Sequence, residues 1–220
     1  MSAIRATIAR GAKGACARTL LRRIICWRVA TSAPHVALTF DDGPDEEGTP
    51  AVLEILAAHD APATFFLQGN HAENHSDIVR RIVGAGHDVG NHGYDHARGQ
   101  SATQAAQCDA ALKRQGVRTR LFRPPGGVLS VQDLFWLTRS GYTTVMWSFD
   151  AVDSMREEGK WRGAAPEYSG IVAGDIVLIH DDNAACLRDL PVLLEIMKRK
   201  GLQPVTLSRL IGLRGQISPD

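Results

Sequence analysis

Two adjacent carboxylates follow an apolar segment near residue 40. In HVALTFDDGP, residues 35–44, Asp41 and Asp42 lie between a strand-like segment and a Gly-Pro pair typical of a turn. Neighbouring strand residues point to opposite faces, so two acids at a strand end meet different environments and can differ in pKa. We therefore expect one carboxylate to bind a ligand and the other to take up a proton. A turn built only for its Asp, Gly and Pro residues is the alternative.

Two histidines offer matching ligands. His92 and His96 stand four residues apart in NHGYDH, residues 91–96, which brings both imidazoles to one side of a helical turn or tight loop. Two imidazoles and one carboxylate suit Zn²⁺, Co²⁺, Ni²⁺ or Fe²⁺ and leave positions open for water and substrate. Alone, the spacing is equally typical of two exposed loop histidines. With the acid pair, it predicts a three-ligand metal site.

Strands alternate with helices from residue 35 onward. The seven predicted strands are 35–40, 63–69, 87–93, 119–125, 142–149, 174–181 and 202–207. Predicted helices lie between most of them, with Thr49 and Ser76 as N-caps of the first two. This alternation predicts an α/β fold with a parallel sheet that forms a closed or nearly closed barrel.

Polar side chains fall at the carboxyl ends of these strands, where chemistry collects in such folds. Five strand ends carry them: Asp41 and Asp42, His92 and His96, Arg123, Asp150 and Asp153, and His180 and Asp181. These residue types are those of a metal site with acid–base groups around it.

The overall charge is nearly balanced, with 25 Lys and Arg against 24 Asp and Glu, so we expect no nucleic-acid partner. The four cysteines show no C-x-x-C spacing, which indicates a reducing compartment and a cytoplasmic protein. The oligomeric state stays open.

Residues 1–32 form a basic N-terminal arm, in which every charged residue is Lys or Arg. Arginines interrupt its apolar residues, so it matches neither a secretory signal nor a membrane span. Three interpretations remain: a basic amphipathic segment that makes peripheral contact with an anionic membrane, a solvated arm without a partner, and an organelle transit peptide.

Five segments resemble, in order, the motifs of the polysaccharide deacetylases, the NodB-homology enzymes of carbohydrate esterase family 4. They are TFDDGP (39–44), HGYDH (92–96), RPPGG (123–127), WSFDAVDS (147–154) and IVLIHD (176–181). The resemblance implies a catalytic domain over residues 33–212, followed by a tail, 213–220. It also implies a single deformed (β/α) barrel of about seven strands and a metal-dependent hydrolase that removes N-acetyl groups from an amino-sugar glycan or glycoconjugate.

The resemblance also implies residue roles. Asp42, His92 and His96 would hold the divalent metal, Zn²⁺ in the first place and Co²⁺ or Ni²⁺ as alternatives. Asp41 would be the general base, oriented by Arg123, and His180 the general acid, oriented by Asp153. On the substrate side it implies Pro125, Gly126 with its N–H as an oxyanion donor, and Trp147.

Four positions depart from the family pattern. Gly93 stands where relatives carry Ser or Thr, and Ala97 stands where they carry Pro. Gly126 stands where they carry an aromatic residue, and Ser154 where they carry Trp. The loss of two aromatic positions favours a short oligosaccharide, a lipid-linked sugar or a single glycoside over a long polymer. An O-acetyl sugar esterase, a sugar deformylase and a catalytically weak glycan-binding protein are the alternatives.

Overall fold

The computed structural model describes residues 24–161, 163 and 166–212. Most of the basic arm and the whole predicted tail, 213–220, lie outside these residues. The strands are β1 (Ile25–Cys26), β2 (His35–Asp41), β3 (Thr64–Leu67), β4 (Asp88–Asn91), β5 (Leu121–Phe122), β6 (Thr143–Val145), β7 (Phe149–Asp150), β8 (Ile176–His180) and β9 (Gln203–Val205).

Helices connect most of these strands. They are α1 (Gly48–Ala58), α2 (Gly69–Asn74), α3 (Ser76–Gly84), α4 (Ser101–Arg114), α5 (Val131–Arg139), α6 (Asp153–Glu157), α7 (Ala184–Arg199) and α8 (Leu207–Gly212). Short 3₁₀ turns cover Pro125–Gly127 and Tyr168–Gly170. Within the described residues, no helix combines the length and the apolar character that a membrane crossing requires.

The nine strands form one curled parallel sheet. Its order is β1-β6-β5-β4-β3-β2-β8-β7, and β9 pairs with the first half of β2. Every pairing between the described strands is parallel, as the alternation of strands and helices predicted. The expected α/β class and deformed barrel are confirmed. Because the strands are parallel, their carboxyl ends all lie at the same end of the sheet.

The predicted strand 142–149 is two strands near opposite edges of the sheet. β6 pairs with β5 and with the edge strand β1, whereas β7 pairs with β8 at the other edge. Between them the Met146 N–H donates to the Cys26 carbonyl of β1, and the Ser148 N–H donates to the Ile176 carbonyl of β8. The short segment 146–148 therefore spans the gap between the two edges. The sequence YTTVMWSF contains no Gly or Pro that would mark this break.

The main core lies between the sheet and helices α1, α3 and α7. Six of the seven residues of β2 are buried, as expected for a central strand covered on both faces. Phe40 of β2 stacks on Phe65 of β3, with ring centroids 5.0 Å apart. Ile78, Val79 and Ile82 form the buried face of α3. This rigid centre holds the strand ends that carry the polar residues.

The last residues of the basic arm belong to the sheet. Ile25, Cys26 and Val29 are buried, and β1 pairs with β6 in register Ile25 to Thr144. The folded part therefore begins before residue 33, because these apolar side chains complete one edge of the sheet. The remainder of the arm, including any membrane contact it makes, lies outside the described residues.

Both predicted N-caps are wrong. Helix α1 begins at Gly48 with Glu47 in the cap position, and α3 begins at Ser76 with His75 in the cap position. The Thr49 hydroxyl instead donates to the Asp181 carboxylate at 2.6 Å and accepts from the Asp45 N–H. A tertiary contact thus takes the hydroxyl that the local pattern assigned to capping.

Candidate active site

Asp41 and Asp42 are separated by a change of backbone conformation. Asp41 is the last residue of β2 and is buried, whereas Asp42 has a φ of 77° in the left-handed region and is partly exposed. The sharp turn aims the two carboxylates at different partners. Asp41 Oδ1 accepts a hydrogen bond from Arg123 at 2.7 Å, and Asp42 faces the histidines. The strand end thus gives the acids distinct environments.

Asp42, His92 and His96 form the candidate metal centre. Asp42 Oδ1 lies 3.4 Å from Nε2 of each histidine, and one donor atom from each of the three residues lies within 4.8 Å of the others. The His92 Nδ1 lies 2.9 Å from the Arg123 carbonyl. Because a carbonyl only accepts, Nδ1 carries the proton and Nε2 presents a lone pair. This donor set fits a divalent cation such as Zn²⁺; the identity of the metal stays open.

The protonation states also suit a cation. Burial opposes the ionisation of Asp42, but His92, His96 and His180 together with the Gln68 amide outweigh it and lower the pKa of this carboxyl. Burial lowers the pKa of His96, against the opposing charge of Asp42. An ionised carboxylate and a neutral imidazole are the forms that bind metals.

Arg123 anchors Asp41 from below. Its guanidinium is fully buried and donates to Thr39 Oγ1 at 2.8 Å, to Asp41 Oδ1 at 2.7 Å and to the Met146 carbonyl at 3.1 Å. It also lies over the Phe66 ring at 4.2 Å. Burial lowers the pKa of Arg123, which Asp41 opposes. With Oδ1 held, Asp41 directs Oδ2 toward His92 Nε2, 3.7 Å away.

His180 ends β8 and is paired with Asp153, the first residue of α6. The backbone N–H of His180 donates to Asp153 Oδ2 at 2.8 Å, and the ring Nδ1 of His180 lies 3.1 Å from Asp153 Oδ1. Burial would lower the pKa of His180, but the hydrogen bond and charge of Asp153 outweigh burial and raise it to about 10. The imidazole therefore carries a proton at neutral pH, and its Nε2 lies 3.9 Å from Asp42 Oδ2.

The loop that carries both histidines is held by amide side chains. The Tyr94 and Asp95 N–H groups donate to Gln104 Oε1 of α4, at 2.7 and 3.0 Å, and the Gly93 N–H donates to Asn91 Oδ1. Gly93 has a φ of 82°, and a Cβ there would lie 3.1 Å from Gln104 Oε1. The loop thus has its own support without the hydroxyl that relatives carry at this position.

The predicted substrate residues follow the ends of β5 and β6. Pro125 and Gly126 form the 3₁₀ turn after β5, and Gly126 has a φ of 59°. A Cβ at Gly126 would lie 2.7 Å from Nε of Arg98, so the Arg98 side chain occupies the space beside the glycine. The Trp147 indole N–H donates to Asp150 Oδ2 at 3.2 Å, and its ring lies 5.8 Å from the Arg123 guanidinium.

Several supporting residues have no signature in the sequence. Gln68 donates to Asp42 Oδ1 at 3.0 Å, His71 Nδ1 lies 3.0 Å from the Asp42 carbonyl, and Asn183 Nδ2 donates to Asp153 Oδ2 at 3.0 Å. Each lies on a different element from its partner, so no sequence spacing connects the two. The one local signal is Asn183, a polar residue directly before α7 and therefore a candidate N-cap.

Asp181 lies buried below the acid turn. Its Oδ2 accepts a hydrogen bond from Thr49, and its Oδ1 has no hydrogen-bond partner among the described residues. A Cβ at Gly43 would lie 2.5 Å from Asp181 Oδ2, so the turn after Asp42 rests directly on this carboxyl. Burial raises the pKa of Asp181 to about 7. The sequence places Asp181 at a strand end but gives no hint of this contact.

A curled parallel α/β barrel with an Asp-His-His metal centre at its carboxyl edge defines a class of barrel hydrolase. The polysaccharide deacetylase family model matches residues 28–145. The chain belongs to this family.

Individual relatives agree. The chain is 34% identical over 199 residues to a peptidoglycan-N-acetylglucosamine deacetylase of Bacillus cereus, which covers 81% of this chain and 70% of that protein. It is 35% identical over 162 residues to a chitooligosaccharide deacetylase of Sinorhizobium fredii, with 70% and 75% covered. A crystal structure of a peptidoglycan N-acetylglucosamine deacetylase superposes with a TM-score of 0.77 at 29% identity, over 87% of this chain and 95% of that one.

Proposed function

We propose that this protein is a metal-dependent N-deacetylase that hydrolyses the acetamide of N-acetylglucosamine units in peptidoglycan fragments or chitooligosaccharides. The observation that carries the proposal is the placement of two acid–base groups around one ligand set. Asp41 Oδ2 lies beside His92, and His180 Nε2 lies beside Asp42. The relatives' substrates support the choice of sugar.

Asp42, His92 and His96 would hold the cation. A divalent metal supplies Lewis-acid chemistry there, because it lowers the pKa of a water molecule and polarises an acyl carbonyl. Arg123 keeps Asp41 oriented by binding Oδ1, and this leaves Oδ2 to accept a proton from the attacking water. The residues around the centre thus separate ligand from base.

His180 completes the reaction. As water oxygen bonds to the acetyl carbon, the bond from that carbon to nitrogen breaks, and an amine leaves poorly unless it is protonated. The protonated His180 supplies that proton from Nε2. Asp153 holds the ring through Nδ1, and Asn183 in turn donates to the Asp153 carboxylate. Acetate and a free glucosamine amine are the products. An ester substrate depends less on this proton, because an alkoxide leaves more readily than the anion of an amine.

The exposed guanidinium of Arg98 favours an acidic glycan. Arg98 is exposed beside Gly126, where family members carry an aromatic residue, and its guanidinium fills the space beside that glycine. A guanidinium recognises carboxylates through paired hydrogen bonds, whereas an aromatic ring stacks on neutral sugars. We therefore expect peptidoglycan fragments, which carry carboxylates, to be preferred over chitooligosaccharides of equal length.

The test compares these two substrate classes. Free acetate and new primary amine are measured for N-acetylated peptidoglycan fragments and for chitooligosaccharides, with wild type and Arg98→Gln. We expect both substrates to be deacetylated and the variant to lose roughly tenfold in kcat/KM on the acidic glycan only. Release from neither substrate would overturn the proposed function. Equal loss on both would overturn the role of Arg98 while leaving the deacetylase.

A further inference from the structure

Positive charge is concentrated in two stretches of the sequence. Residues 1–40 and 110–149 contain thirteen of the 25 Lys and Arg residues but only one of the 24 Asp and Glu residues. Of the first stretch, β1 lies beside the second in space, because β1 pairs with β6 and β6 pairs with β5. We call the surface of β1, β5, β6, α5 and the loop 115–120 the basic side. The balanced total charge hides this asymmetry.

Helix α5 presents apolar residues on this side. Val131 is 75% exposed, Phe135 is 65% exposed and Trp136 is 36% exposed. They are three of the seven exposed large apolar side chains among the described residues, and they occupy one nine-residue helix. A concentration of this kind marks an interaction surface.

The same helix shows no acidic side chain to solvent. Its only acid, Asp133, is buried and accepts hydrogen bonds from the Ser130 hydroxyl and the Ala102 N–H. The exposed residues of α5 are Val131, Gln132, Phe135, Trp136, Thr138 and Arg139. Nothing on this face would repel an anionic partner.

Arginines border the apolar residues. The Arg139 guanidinium lies 5.7 Å from the centre of the Phe135 ring. Trp136 stacks on Tyr142 at 6.2 Å, and Arg120 lies 5.4 Å from the same tyrosine ring. Lys113 and Arg114 form ion pairs with Asp109 and Glu73, whereas Arg118, Arg120 and Arg139 form none with a described carboxylate.

The arm joins the fold at this place. Ile24 packs against the buried cluster that contains Ile25 of β1 and Leu134 and Leu137 of α5. In the sequence, residues 1–23 precede this point and contain six Lys and Arg and no acid.

We propose that the basic side docks on an anionic lipid surface. Val131 and Phe135 enter the headgroup region, and Arg118, Arg120 and Arg139 bind lipid phosphates. Interleaved aromatic and arginine side chains are typical of surfaces that lie in the membrane interface. A second copy of the chain would bring like charges together, and an anionic polymer would not require the exposed Val131 and Phe135. Lipid satisfies both the charge and the apolar face.

Sedimentation with vesicles tests this on the full chain. Mixed phosphatidylcholine and phosphatidylglycerol vesicles are compared with pure phosphatidylcholine vesicles, at low and high salt. We expect binding only to the anionic vesicles, because each Lys or Arg side chain near an anionic surface raises the affinity about fivefold. Binding should be weaker in high salt, which screens this attraction. Circular dichroism confirms that every variant is folded.

Matched variants separate the two contributions. Val131→Ser with Phe135→Ser is expected to weaken binding roughly tenfold, whereas Val192→Ser, at a valine 52% exposed on α7, leaves it unchanged. Arg118→Gln with Arg139→Gln is expected to weaken it by a similar factor, whereas Lys198→Gln with Arg199→Gln does not.

Three results would overturn the proposal. They are no binding of the full chain to anionic vesicles, equal losses with the variants and their controls, and loss with the charge variants alone, which would point to an anionic polymer as the partner. Concentration-dependent self-association that Phe135→Ser abolishes, without vesicle binding, would assign the face to a second copy instead.

Discussion

The carboxylates of Asp41 and Asp42 are adjacent in sequence and different in partner. Asp41 is buried and bound by Arg123, whereas Asp42 is partly exposed and meets two imidazoles. The difference follows from the left-handed φ of Asp42, which turns its side chain away from that of Asp41. A single backbone rotation therefore gives two identical side chains different partners.

Removing the charge of the base should stop turnover and leave the metal. Asp41→Asn keeps the hydrogen bond from Arg123 but accepts no proton, so we expect kcat to fall at least about a hundredfold. Titration calorimetry with Zn²⁺ should give a dissociation constant close to that of the wild type. His92→Ala is the matched variant, in which the metal is lost. Near-normal turnover of Asp41→Asn would show that another group is the base.

The acid is tested by the leaving group. His180→Ala should reduce the hydrolysis of acetamides roughly a hundredfold and that of activated acetate esters much less, because a phenolate leaves without protonation. Both rates are measured on the same protein preparation. Equal loss on amide and ester would mean that His180 positions the substrate and does not protonate the amine.

Asp181 should make stability depend on pH. Burial raises its pKa from the ordinary value of 3.8 to about 7, so the folded state holds a proton that the unfolded state releases between these values. The free energy of unfolding should therefore fall as pH rises from about 4 to 7, by at most about 1.4 kcal/mol per pH unit from this group. Asp181→Asn removes this dependence. Urea unfolding of both proteins, with a chelator present, measures this dependence. A difference in unfolding free energy between the two proteins that stays constant over this pH range would contradict the prediction.

At the scale of elements, the parallel barrel was predictable and its closure was not. Seven strand-like segments that alternate with predicted helices sufficed for the parallel order. β1 contains only two residues within an arginine-rich arm, and only Met146, Trp147 and Ser148 separate β7 from β6. Both depend on hydrogen bonds to distant strands, which leave no local pattern.

The site divides in the same way. Which residues come together at the site was predictable, because strand ends concentrate polar side chains and because the ordered motifs resemble a family. Gln68, Gln104 and Asn183 were not, since a single amide on one element shows no periodic relation to its partner on another. Supporting side chains are visible only after the elements are placed in space.

The histidine loop should resist a change toward the family pattern. Gly93→Ser places a Cβ 3.1 Å from Gln104 Oε1 and Pro125 Cγ, at a φ that favours glycine. We expect a loss of about 1–3 kcal/mol in unfolding free energy and weaker metal binding. Gly99→Ser is the control, since its φ is 77° but its Cβ would meet nothing within 4 Å. Equal losses in metal affinity would show that the contact with Gln104 is unimportant.

At the scale of the whole molecule, the metal centre joins elements that are far apart in the chain. Asp42 follows β2, and both histidines follow β4, so a bound cation links two strands separated by β3. The basic side lies on another part of the sheet, at the edge formed by β1 and β6. The proposed catalysis and the proposed docking on lipid therefore depend on different residues and can be tested separately.

A cation should consequently stabilise the folded chain. Ligand at one hundred times its dissociation constant adds about 2.7 kcal/mol to the unfolding free energy if it binds the folded state alone. We expect the melting temperature of chelator-stripped protein to rise when Zn²⁺ is added. His92→Ala with His96→Ala should show no rise, and an equal rise in that variant would place the stabilising cation elsewhere.

The most direct test of the central claim is acetate release by chelator-stripped protein, with and without added Zn²⁺, Co²⁺ or Ni²⁺. The substrates are N-acetylglucosamine-containing glycan fragments, and Asp41→Asn is assayed beside the wild type. The account predicts no release without metal, release restored by at least one of these ions, and none from the variant. Full activity of the stripped wild type, or restored activity of Asp41→Asn, would contradict it.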